Sequence, residues 1–402
     1  MSTPAPAVPL ASLVPAPESF GAQPITDDLL QSYAQVTGQP APTFLRRRVF
    51  NGHIGFEDAI SRKRDGKPFY IFLSITPSNH LTNLRHIVSF RFAQQLQAAF
   101  DCPVVIHVLD SKALLRDADI KLDQVQKNTE ETILDIMSFN FKPEKTVIVR
   151  NTEALNMNYI LLCDLQRKST LGSFVEKFIP NDNLSISILD VIFQNASFAV
   201  PEYLLRIFPN YAHYRCLMIL RPTQKNLYDH ACSLDPEHPP MAIFGGFVPA
   251  LQGGQKMPAL AKFALGQSGG DLQGKKQKNA IRDYMTIYLS NTRKDVTKKL
   301  NSNAFSGGRD TLALQQEQGA NIDVDVSFFY LSIFEEDDAK VAEVRRTYGP
   351  GDLPEGNDKR MTTGALKKAA AEVIGNVVAE LQAARKAVTK DAVKAITTIR
   401  HL

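Results

Sequence analysis

Pro68-Phe69-Tyr70-Ile71-Phe72-Leu73-Ser74 is an unbroken apolar run closed by a serine, and its reading decides the fold. A strand with one wet face alternates apolar and polar residues; this run does not. Continuous apolar character suits a strand covered on both faces, as in a parallel sheet. Pro103–Leu109 (PVVIHVL), Thr146–Arg150 (TVIVR) and Arg215–Leu220 (RCLMIL) repeat the pattern, with helix-length stretches between them. The expected class is therefore α/β, with a doubly wound sheet. Ligands of such sheets bind beyond the carboxyl ends of the strands, which points at Ser74–Ser78, Asp110–Lys112 and Arg221–Lys225.

On the N-terminal side, Leu29, Leu30, Tyr33 and Val36 recur at helical spacing after Asp27 and Asp28. Residues 1–24 carry Pro4, Pro6, Pro9, Pro15, Pro17 and Pro24 among alanines, and are expected to stay extended or disordered. On the C-terminal side, residues 264–282 are rich in Gly, Gln and Lys and read as a mobile surface loop. Between Lys275 and Lys299 there are eight Lys/Arg against two Asp, the charge pattern of a phosphate-backbone contact. Gly349-Pro350-Gly351 and Gly356-Asn357 then break the chain. Thr362 or Thr363 can cap a long helix whose stripe is Val373, Ile374, Val377, Val378 and Leu381.

The 402 residues suffice for two or three domains, and their 44% hydrophobic content is that of a globular protein. No apolar run approaches the roughly 20 residues needed to cross a bilayer. The first 45 residues contain no Lys or Arg, which excludes a secretory n-region and speaks against an Arg-rich presequence. Cys102, Cys163, Cys216 and Cys232 show no CxxC spacing, so reduced thiols of a cytoplasmic protein are expected, with no metal site.

Several segments in register resemble eukaryotic-type tryptophanyl-tRNA synthetases. They are Thr37-Gly38-Gln39 with Phe44-Leu45-Arg46-Arg47, Lys67-Pro68-Phe69-Tyr70, Phe247-Val248-Pro249-Ala250-Leu251-Gln252-Gly253, Ala304-Phe305-Ser306-Gly307-Gly308-Arg309-Asp310-Thr311 and Asp323-Val324-Asp325-Val326-Ser327-Phe328. The resemblance, running from about residue 25 to 402, implies a class I synthetase-type Rossmann catalytic domain followed by a C-terminal α-helical anticodon-binding-like domain, usually as a homodimer. The expected divisions are a disordered tail at 1–24, the catalytic domain at 25–290 with the basic loop 264–282, and the helical tRNA-binding-like domain at 291–402.

Two signatures of that family depart from their pattern. His-x-Gly-His, at the start of the helix after the first strand, lets phosphate meet the helix N-terminus and adenine lie against the glycine. Here it reads Asn83-Leu84-Arg85-His86, and Arg85 is expected to fill the adenine slot. Lys-Met-Ser-x-Ser reads Lys256-Met257-Pro258-Ala259-Leu260, without both hydroxyls and stiffened by Pro258. The family's tryptophan pocket maps onto Phe72, His107, Lys112, Gln194 and Gln224. Gln194 and Gln224 are kept, whereas Lys112 replaces a carboxylate and Arg221-Pro222-Thr223-Gln224-Lys225 lacks two more.

Lost ATP signatures beside a kept tRNA side lead to the expectation of an aminoacyl-tRNA-dependent acyl transferase. It would form a dipeptide or cyclodipeptide without ATP, in the manner of cyclodipeptide synthases, including fungal arginine-containing ones. That link is by fold analogy. Ser74 or Ser78 would accept the acyl group, with His80, His86 or His107 as base. Phe72, Asp110, Lys112, Gln194 and Gln224 would hold substrate. Lys275, Lys276, Lys278, Arg293, Lys294 and Arg309 would meet tRNA or aminoacyl-tRNA, and no resident cofactor is expected. An inactive tRNA-binding paralogue and a divergent ATP-dependent tryptophan–tRNA ligase are the alternatives.

Overall fold

Each of the four apolar runs is a strand in the computed structural model, which describes residues 9–78, 82–116, 119–167, 213–253, 282–353 and 359–400. The chain forms two compact units: Met1–Pro15, Asn83–Arg85 and Phe247–Gln382 make one, and Ala16–Thr82, His86–Gly246 and Ala383–Leu402 the other. This division differs from the linear split expected at residues 290/291. A stretch before residue 290 belongs to the helical unit, and the last twenty residues belong to the sheet unit.

The sheet unit is built on seven strands: β1 (Gln23–Pro24), β2 (Phe50–Ile54), β3 (Phe69–Ile75), β4 (Val104–Val108), β5 (Thr146–Arg150), β6 (Arg215–Leu220) and β7 (Met241–Gly245). Their order is β1-β2-β7-β6-β3-β4-β5. The five strands from β7 to β5 are parallel, and β2 and β1 extend the β7 edge antiparallel. Counted by sequence, the parallel strands lie in the doubly wound 3-2-1-4-5 order, so β3 and β6 flank the topological switch point. Three strands escape the sequence reading. β1 has only two residues, β2 carries polar Asn51 and His53 that break its apolar run, and β7 is as long as β4 and β5 and equally buried, with its apolar run ending at Gly245.

Among the described residues, the helices around those strands are α1 (Asp27–Thr37), α2 (Thr43–Arg46), α3 (Phe56–Arg64), α4 (Leu84–Phe100, whose first two residues belong to the other unit), α5 (Asp110–Arg116), α6 (Leu122–Met137), α7 (Asn151–Arg167) and α8 (Lys225–Leu234). α1 is the helix expected after Ile25; Thr26 caps it by accepting from Leu29 N–H, and Tyr33 is buried. Tyr70, Phe72, Val105, Val147, Cys216, Met218, Ala242 and Phe244 form the core on one sheet face, with Leu227, Tyr228, Ala231 and Leu234 of α8 among them. Gly245 permits the closest strand approach: a Cβ there would lie 2.3 Å from Phe50 Cα.

The helical unit holds α9 (Arg293–Asn303), α10 (Leu312–Gln318), α11 (Val326–Phe334), α12 (Asp338–Tyr348) and most of α13 (Thr363–Lys386); α14 (Lys390–Thr397) returns to the sheet unit. α13 is the long helix read from the sequence: Thr362 Oγ1 accepts from Ala365 N–H, and Ile374, Val377, Val378 and Leu381 are buried. Asp325 organises this unit. Fully buried, its carboxylate accepts from Gly307 N–H (2.9 Å), Ser327 N–H (2.9 Å), Phe328 N–H (3.0 Å) and Tyr348 O–H (2.7 Å). One side chain thus caps α11 and ties the Gly307 turn to the end of α12. Gly307 cannot be replaced there, because a Cβ would stand 1.8 Å from Asn321 O.

The described part of the N-terminal segment is ordered, against the expectation of disorder. Leu10–Leu13 and Pro17–Phe20 are 3₁₀ turns, and Leu10 N–H donates to Asp323 O at 2.8 Å. The reason is burial: Leu10 is 2% exposed, and Phe20 packs edge-on against Phe244 at 5.3 Å. A proline-rich composition sets the local conformation, but these apolar side chains supply the contacts that offset its ordering.

Candidate functional site

The carboxyl ends of β3, β4 and β6 hold Phe72, Ser74, Ser78, His107, Asp110, Lys112 and Gln224 of the residues that the sequence nominates. Ser74 is half-buried near the end of β3 and pairs in register with His107 of β4. Phe72 lies two residues back, fully buried, with its ring centroid 6.4 Å from that of His107. Ser78 is exposed beyond the strand.

Behind these residues is a polar network joining β4 to β5. His107 Nε2 lies 2.8 Å from Asn151 Oδ1; that oxygen only accepts, so Nε2 carries the proton. Asn151 Nδ2 donates to Ser111 Oγ. Asp110 is 6% exposed and accepts from Ser111 N–H (2.9 Å), Thr152 N–H (3.0 Å) and Thr152 O–H (2.6 Å). Its carboxylate therefore sits at the N-terminal turn of α7, where negative charge is favoured. Asn151 and Thr152 were missed in the sequence, whereas Ser111 falls within the Asp110–Lys112 stretch. The signal was present, because Asn-Thr directly after Thr146–Arg150 is a helix-start pattern.

At the end of β6 the backbone enters a 3₁₀ turn, Pro222–Gln224. Gln224 Oε1 accepts from Arg221 N–H (3.0 Å) and from Arg221 Nε (3.2 Å), which fixes the turn. Lys225 makes an ion pair with Asp229 one helical turn on and lies 5.3 Å from the Tyr228 ring centroid. The positive charge expected there is thus paired within α8. Lys112 is half-buried on α5.

The helical unit contributes a second candidate, at the first residues of α4. Asn83 Oδ1 accepts from Arg85 N–H at 3.1 Å, so this departure from the family signature caps the helix. Leu84 N–H is satisfied by Ile287 O at 3.2 Å. Asn83 and Arg85 line a cavity of about 210 Å³ with Pro249, Ala250, Arg282 and Tyr330. Arg85 is exposed on its rim, and open volume remains beside it. Tyr330 O–H donates to Pro249 O at 2.6 Å and holds one wall. Burial raises the Tyr330 phenol above its usual range, while the charge of Arg85 opposes that shift. His86, the next residue, is half-buried and belongs to the sheet unit.

Among the residues expected to meet tRNA, Arg293 and Lys294 are exposed in the first turn of α9, which Thr292 and Asp295 cap reciprocally. Arg309 donates from Nε to Gly319 O at 2.8 Å and so also braces its own loop. Gln194, Lys256, Pro258, Lys275, Lys276 and Lys278 lie outside the described residues, as does the loop 264–282 up to residue 281. Cys102 and Cys216 are buried thiols, and all four cysteines are free.

No protein-family model matches the chain. The cytoplasmic tryptophan–tRNA ligase of Oryctolagus cuniculus is 31% identical over 389 residues, covering 95% of this chain and 76% of that protein. The corresponding ligase of Arabidopsis thaliana is 29% identical over 96% of this chain and 90% of its own. Among solved structures, the tryptophanyl-tRNA synthetase of Giardia lamblia superposes with a TM-score of 0.82, at 28% identity and 95% coverage of each chain. These likenesses overturn the expected ATP-independent acyl transferase of cyclodipeptide synthase type. They run through both units and belong to ligases that activate the amino acid with ATP.

Proposed function

The chain belongs to the tryptophan–tRNA ligase family, and from that premise we propose that it is a divergent ATP-dependent aminoacyl-tRNA ligase acting on tryptophan. In this reaction the amino-acid carboxylate attacks the α-phosphorus of ATP and expels pyrophosphate. A terminal ribose hydroxyl of tRNA then takes the acyl group and releases AMP. The observation that carries the reading is the likeness, over 95% of the chain, to a cytoplasmic tryptophan–tRNA ligase. The α4 start supports it. Its helix dipole, with Arg85 and Arg282 on the rim, makes the 210 Å³ cavity attractive to phosphate. In this reading Arg85 replaces a glycine-lined contact with a charged one.

We place the tryptophan pocket at the switch point, around Phe72, Ser74, His107 and Gln224, with Asp110 and Lys112 beside it. Gln194 completes the pocket, and Lys256 with Pro258 forms the loop that follows pyrophosphate. Arg293, Lys294 and Arg309, with Lys275, Lys276 and Lys278, form the tRNA-facing surface. The enzyme works as a cytoplasmic homodimer.

ATP–pyrophosphate exchange with each amino acid tests the reading. Exchange dependent on tryptophan is expected, followed by charging of tRNA; no exchange with any amino acid sinks it. Arg85→Ala is expected to raise the KM for ATP about tenfold or more, the worth of one charge-assisted phosphate contact, with the KM for tryptophan unchanged.

A further inference from the structure

A second charged cavity opens at the opposite end of the sheet. It measures about 480 Å³ and is lined by Arg62, Lys67, Pro68, His213, Arg215 and His238, with no carboxylate among its lining residues. Pro68 precedes β3 and Arg215 opens β6, and Phe69 pairs in register with Arg215. His238 lies just before β7. The cavity is thus at the amino ends of three parallel strands. It is about 20 Å from Ser74, the length of β3 at roughly 3.3 Å per residue.

Its basic side chains play different parts. Arg62 is the clamp: Nε pairs with Asp58 at 3.0 Å, and Nη1 donates to Pro68 O (3.0 Å) and His213 O (3.4 Å). That holds the two strand entrances together. Lys67 lies 3.7 Å from Asp65, and both side chains are exposed enough for the pair to be worth little. His238 leans on Asp235 at 3.3 Å. Arg215 differs. No carboxylate among the described residues pairs with it, and its buried Nη1 has no hydrogen-bond acceptor there. A half-buried guanidinium without a counter-charge is costly, and an anion in the cavity would offset that cost.

We propose that this cavity is a second anion site, which takes a small phosphorylated ligand at the amino edge of the sheet. Its volume lies within the usual range for small-ligand pockets, roughly 300–1,000 Å³. Arg215 supplies the uncompensated charge, Lys67 a mobile ammonium at the rim, and the imidazoles of His213 and His238 further donors. The site is independent of the ligase reading, because none of its residues is at the switch point or at the start of α4.

The test is calorimetric titration of the full chain with inorganic tripolyphosphate at low ionic strength. One binding event should weaken about tenfold or more in Arg215→Gln and in Lys67→Gln, the loss of a charge-assisted contact. Lys127→Gln removes an equal charge from an exposed position on α6 and should leave that event unchanged. If Arg215→Gln fails to fold, Lys67→Gln decides, since its side chain is 64% exposed. Binding that ignores Lys67→Gln, weakens equally in Lys127→Gln or is absent from the wild type overturns the proposal.

Discussion

Asp325 in the helical unit and Asp110 in the sheet unit are both buried carboxylates at helix starts, yet they do different work. Asp325 accepts four hydrogen bonds from three separate segments, so it is the junction around which the Gly307 turn, α11 and α12 are assembled. Asp110 accepts three, all from Ser111 and Thr152, and secures only the ends of β4 and β5. The sheet holds its own register through apolar strands, and its polar groups lie at the strand ends. Among its described residues the helical unit has no sheet to impose register, so a buried charge does it.

That contrast can be broken most directly at Gly307. Gly307→Ala drives a methyl into Asn321 O and should cost more than about 4 kcal/mol, unfolding the helical unit. Limited proteolysis should then cut within residues 283–382 while the sheet unit survives; an unchanged digest would refute the junction. Asp325→Ala comes next, at about 3–5 kcal/mol in urea denaturation. It strands the buried Gly307 N–H and removes the acceptor of the Tyr348 hydroxyl, in addition to losing a cap.

Asp110→Ala sharpens the other side. It should cost only about 1–2 kcal/mol, the value of a helix cap, yet lower the tryptophan-dependent exchange rate several-fold by loosening the β4–α5 turn. Equal destabilisation by Asp110→Ala and Asp325→Ala would erase the distinction.

The smallest effect concerns the exposed Asp101, held by Lys142 and Lys145. Their hydrogen bonds lower its carboxyl from the usual value to about 2. A depressed folded value means the stabilisation is present above the ordinary carboxylate range and is lost as the pH falls from about 4 towards 2. Asp101→Asn should therefore cost under about 1 kcal/mol at neutral pH, and nothing once the wild-type carboxyl is protonated. Thermal melts of both proteins across that pH range measure it.

The strands β3, β4, β5 and β6 were legible because burial on both faces leaves an apolar run in the sequence. The α13 stripe was legible because a helix repeats its buried face at every turn. β7 went unread although it matches β4 and β5 in length and burial, and β2 was obscured by Asn51 and His53. At the candidate site, the rule that ligands meet the carboxyl ends of parallel strands singled out Ser74, His107, Asp110 and Gln224, and these residues lie at the ends of β3, β4 and β6. Their partners were not singled out, since whether a side-chain oxygen faces a ligand or the neighbouring backbone depends on rotamers set by packing. Gln224 turning to Arg221, and Lys225 to Asp229, are cases in point.

By itself, the sequence determined the α/β class, the four main strand runs, the long C-terminal helix and the family likeness, because each is written in periodicity or in contiguous motifs. Tertiary structure alone decided that the proline-rich start is anchored by Leu10, that Arg85 stands at the rim of an open cavity, and that Arg62, Lys67, Arg215 and His238 converge. Each of these joins residues far apart in the chain. No local pattern records such a meeting, because it exists only after the strands have paired and the helices have packed.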